Sequence, residues 1–81
     1  MNFLTVYAEN VNAAINAIDM IAQEIKLEVV ASDPARLFND ENHADVPLPC
    51  FTFKTENTFD KVKECTPKSA YLCQEETEDW I

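Results

Sequence analysis

Eighty-one residues with 47% apolar content describe one folded domain, with no room for a second core. The absence of glycine removes P-loops and dinucleotide-binding turns, whose backbone approaches phosphate only where no Cβ intervenes. Fifteen acidic against six basic side chains give a net charge of −9, which disfavours nucleic acid and anionic membranes as direct partners and favours cationic protein surfaces.

Residues 3–8, FLTVYA, are rich in β-branched and aromatic types and predict a strand, with Leu4, Val6 and Ala8 on one face and Phe3, Thr5 and Tyr7 on the other. From Val11, the positions Ala14, Ile15, Ile18, Ile21, Ala22 and Ile25 recur at helical spacing, so a helix is expected over about 11–25 with Asn10 as its cap. Its opposite stripe is Asn12, Asn16, Asp19 and Gln23. The segment KLEVVA, 26–31, alternates again and predicts a second strand with Leu27, Val29 and Ala31 inward.

Asp33-Pro34 has the form of a helix cap followed by a first helical position, so a short helical turn is expected through Ala35, Arg36, Leu37 and Phe38. Periodicity is lost from Asn39 to Pro49, within a long acidic loop placed at about 33–49. CFTFKT then alternates as a third strand with Phe51 and Phe53 on one face. NTFDKVKEC predicts a short helix capped by Asn57, with Asp60 three residues on and Thr66-Pro67 as its stop. SAYLCQ is a fourth strand, and it runs into an acidic tail, residues 75–81.

The order β-α-β-loop-β-α-β predicts an α+β fold of the ferredoxin-like βαββαβ kind, a four-stranded antiparallel sheet with two helices on one face. A plainer sheet with one dominant helix is the alternative. The opening MNFLTVY lacks the basic and apolar character of a signal peptide, and three cysteines leave one unpaired, so free thiols in a cytoplasmic setting are expected. The spacings of Cys50, Cys65 and Cys73 and the single His43 do not match a zinc site, and the loop acids lack the glycine of a calcium loop. Neither a metal nor a cofactor is expected. A thiolate at Cys50 assisted by His43 is conceivable chemistry that nothing in the spacing requires, and a non-enzyme is expected.

The distribution of charge is more telling. Asp40, Glu41 and Asp45 form one group, and Glu75, Glu76, Glu78 and Asp79 form another in the terminal QEETEDWI, with no base beside them. In an extended segment those four tail acids span about 15 Å. Duplex DNA presents one charge about every 1.7 Å of its axis. Trp80 and Ile81 either pin the tail to the domain or offer Trp80 to a partner as an aromatic anchor, unless the end simply frays.

In size, charge and clustered acids the chain resembles small, acidic, phage-encoded inhibitor proteins of the anti-CRISPR and DNA-mimic class. The resemblance implies a protein that occupies the basic nucleic-acid channel of a larger target. The charge pattern of the chain itself points to Asp40, Glu41 and Asp45 on the loop and Glu75, Glu76, Glu78 and Asp79 on the tail as the working residues, with Trp80 as anchor or pin. The second reading is a regulatory or assembly module, which forms a homodimer or binds a ligand through an open sheet face carrying Phe3, Tyr7, Val30 and Tyr71.

Overall fold

A computed structural model describes residues 1–75. Its elements are β1 (Asn2–Ala8), α1 (Val11–Glu24), β2 (Glu28–Phe38), β3 (Val46–Thr55), α2 (Phe59–Cys65) and β4 (Ala70–Gln74). The strands form one antiparallel sheet in the order β2-β3-β1-β4, and both helices pack on the same side, giving the ferredoxin-like α+β layout.

β1 lies in the middle of the sheet and is buried on both faces. Leu4 and Val6 meet Ala17, Ile18 and Ile21 of α1, Ile25 at its C-terminal cap and Val62 of α2, with Phe53 of β3 completing the cluster. Burial of aliphatic and aromatic side chains of this size contributes about 1.5–3 kcal/mol each, which makes this layer the main source of stability. Phe3, Thr5 and Tyr7 alternate onto the face without helices, as the strand period requires.

Asn10 caps α1, its Oδ1 accepting from the Ala13 N–H at 2.8 Å. The buried stripe is rotated from the one expected. Ala14, Ala17, Ile18 and Ile21 face the sheet, whereas Val11 and Ile15 are exposed and Ala22 points outward. A helix laid against a flat sheet buries a narrower arc than one surrounded by partners. Small Ala17 allows closer approach than the bulkier Ile15 would. The cap of α2 is Thr58 rather than Asn57, its hydroxyl accepting from the Lys61 N–H at 3.3 Å.

The largest departure is at residues 34–38, which are strand, not a helical turn, so β2 runs on to Phe38. Leu37 and Phe38 pair with Pro47 and Val46, and the loop shrinks to residues 39–45. Pro34 fits because β2 is an edge strand and its register with β3 is broken between Asp33 and Arg36, where no ladder N–H is required. Pro47 and Pro49 fall beyond the β1 pairing, which ends at the Tyr7–Cys50 pair.

Candidate functional site

On the helix-free side, the turn 39–45 folds over the top of the sheet. Asp40 organises it. Its Oδ1 accepts from the Asn42 and His43 N–H groups, both at 2.8 Å, and lies 2.9 Å from His43 Nδ1. Asp45 occupies the left-handed region (φ 53°), which short polar side chains tolerate in a chain without glycine, and its Oδ1 accepts from Asn39 at 3.2 Å. The His43 bond and these backbone donors hold the Asp40 carboxyl below its usual range.

The His43 ring packs edge-on against Phe38 and Tyr71 at centroid distances of 5.3 and 5.0 Å. Phe38 stacks on Tyr71 at 5.0 Å and touches Tyr7 at 4.8 Å. With Leu48 and Cys50 they form a second, smaller core. Glu9, one residue beyond β1, accepts the Tyr71 hydroxyl at 2.9 Å and sits 3.9 Å from His43 Nε2. The turn is therefore anchored to the ends of β1, β2 and β4 together. One end of the molecule displays Glu9, Asp40, Glu41 and Asp45. Among the described residues no lysine or arginine pairs with any of the four, since Arg36 goes to Glu75 and Lys54 to Glu28.

Glu75 has a different fate from the loop acids. Its N–H donates to Phe3 O at 2.9 Å, and its carboxylate, only 14% exposed, accepts from Arg36 Nη1 and from the Thr5 hydroxyl, each at 2.5 Å. Thr5 Oγ1 also accepts from Arg36 at 3.3 Å. Because its single proton goes to Glu75, the buried Thr52 hydroxyl 2.8 Å away is the donor in that pair. Burial works against the charge on Arg36, but the Glu75 carboxylate, with Tyr7 and Cys50 adding to it, outweighs that effect and holds the guanidinium more firmly protonated. Glu75 is thus neutralised inside the molecule, by an arginine that reaches across two intervening strands. Glu76, Glu78, Asp79 and Trp80 lie outside the described residues.

The expected sites therefore separate. Asp40, Glu41 and Asp45 share one end of the sheet, and Glu75 belongs to the internal network. Glu9 joins the loop acids, a grouping invisible in sequence because it depends on β1 ending beside the turn. Of the residues assigned to an open apolar face, Phe3 and Tyr7 are buried, Tyr71 is half-buried beneath His43, and only Val30 is exposed. Cys50 is buried, and that burial pushes its thiol up, the opposite of what an activated nucleophile needs. All three cysteines are free thiols. Among the described residues no cluster of three His, Cys, Asp or Glu side chains is placed to hold a metal, and no helix is long and apolar enough to cross a membrane.

Compared with protein-family models, curated proteins and solved structures, the chain matches none.

Proposed function

We propose that this protein is an inhibitor that acts by contact, docking its acidic end onto the basic nucleic-acid-binding surface of a larger protein, in the manner of small phage-encoded anti-CRISPR and DNA-mimic proteins. The observation that carries this reading is the gathering of Glu9, Asp40, Glu41 and Asp45 at one end of the sheet without a lysine or arginine partner among the described residues. Anchoring of the turn by Asp40 and His43 keeps the carboxylates at fixed positions, so little ordering is needed on binding. Contacts of this type accelerate encounter and weaken with salt.

The test immobilises the protein, passes a cell extract over it and elutes with a salt gradient. Each retained protein is then assayed for release of labelled duplex DNA or RNA when the inhibitor is added. Retained proteins should bind nucleic acid, lose it competitively, and be held at least tenfold more weakly by the Glu9→Gln, Glu41→Gln, Asp45→Asn triple variant, a loss of about 1.4 kcal/mol. Retention that ignores both salt and the triple variant would remove the acidic end from the mechanism.

A further inference from the structure

The acidic end is built around the chain's one histidine. His43 lies half-buried in the turn with a carboxylate at each ring nitrogen. Asp40 Oδ1 stands 2.9 Å from Nδ1, and Glu9 Oε1 stands 3.9 Å from Nε2. Phe38 of β2 and Tyr71 of β4 flank the ring.

The tautomer follows from these neighbours. The His43 contact and two backbone N–H bonds hold Asp40 ionised, so its carboxylate accepts and Nδ1 donates. In the neutral ring the other nitrogen, Nε2, then presents a bare lone pair. It faces Glu9, whose Oε1 already accepts the Tyr71 hydroxyl at 2.9 Å. That bond pushes the phenol up, so Tyr71 keeps its proton and has no second one to give. Phe38 brings no charge, and among the described residues no lysine or arginine pairs with either carboxylate. A lone pair and an anion thus face each other, and the species that fits between them is a proton.

We infer that His43 is a proton-binding site that regulates the acidic end: a proton taken up at Nε2 sets a positive charge between Glu9 and Asp40 and weakens docking onto a basic surface. The inference rests on the docking role proposed for that end. Uptake offsets one of the four carboxylate charges displayed there by Glu9, Asp40, Glu41 and Asp45, while the ring gains Glu9 as a second charged partner. Aspartate and glutamate ordinarily stay charged above about pH 5.5, and lysine below about pH 9. Histidine is the side chain whose charge ordinarily changes between those limits. Mild acidification therefore lowers the charge of this end without neutralising the partner.

With one histidine in the chain, its ring-carbon proton resonances report its protonation without ambiguity. The docking probe is a rhodamine-labelled poly-L-lysine, titrated by anisotropy at low salt from about pH 5.5 to about pH 8. On acidification the dissociation constant should rise about threefold, the Coulomb effect of one charge about 7 Å away in water, with the same midpoint as the ring resonances. His43→Gln should abolish that step; it keeps the Met1 amino group, whose own titration drops out of the comparison. Agreement of the two wild-type midpoints tests the inference even where His43→Gln loosens the turn. An affinity that stays constant while the ring titrates overturns it, and so does a step of equal size in His43→Gln. Failure of the docking role has a different signature. The Glu9→Gln, Glu41→Gln, Asp45→Asn variant then binds the probe as tightly as the wild type at every pH, which removes this inference with it.

Discussion

Tyr7 shows how one side chain records the closing of the helix-free face. Its ring is buried beneath Phe38, and that burial, opposed only in part by Arg36, pushes the phenol up to about 12. The sign of the consequence follows from linkage. A folded-state pKa raised above the ordinary value of about 10 means the contribution is whole below pH 10 and is lost as pH rises through 12. Alkaline titration followed at the tyrosinate absorbance should show Tyr7 ionising late, together with loss of tertiary structure. A Tyr7 midpoint near 10 in the folded protein would mean the face is open in solution. The internal network makes a related point. Thr5 Oγ1 meets Thr52, Arg36 and Glu75 with every donor and acceptor used, so its polar atoms sit in the sheet centre without a desolvation penalty.

At the scale of elements, the stripe of α1 is the feature most open to measurement. Ile21 is fully buried and Ile15 is 42% exposed, although the periodicity counts both as apolar positions of one face. Ile21→Ala should cost about 2–5 kcal/mol in chemical denaturation, and Ile15→Ala less than about 1 kcal/mol. Equal costs would place the helix in the rotation that spacing alone suggests. β1, α1 and β4 were legible because their side-chain periods are strong and local. The second half of β2 was not. Asp33-Pro34 carries a genuine helix-start signal, and only the partner strand at Val46–Pro49 outbids it, a contact made across a turn whose closure is not encoded in any short window. The turn was legible as acidic but not as folded, because the ring contacts of His43 come from Phe38 and from Tyr71, 28 residues further on.

For the whole molecule, the excess of carboxylates sets the response to salt. With net charge −9 and few close ion pairs, long-range repulsion exceeds attraction in the folded state. Raising NaCl from low concentration to about 0.5 M shortens the screening length below about 10 Å and should raise the melting temperature by a few degrees. A fall would mean that pairs such as Arg36–Glu75 outweigh the general repulsion. Composition and periodicity by themselves determined the class of fold, the order of its elements and the acidic character, because these depend on totals and on neighbours along the chain. Which acids stand free and which are neutralised was decided only by tertiary structure. Arg36 and Glu75 are far apart in sequence and meet because β2 and β4 flank the same sheet, whereas Glu9 joins the loop acids because β1 ends where the turn closes.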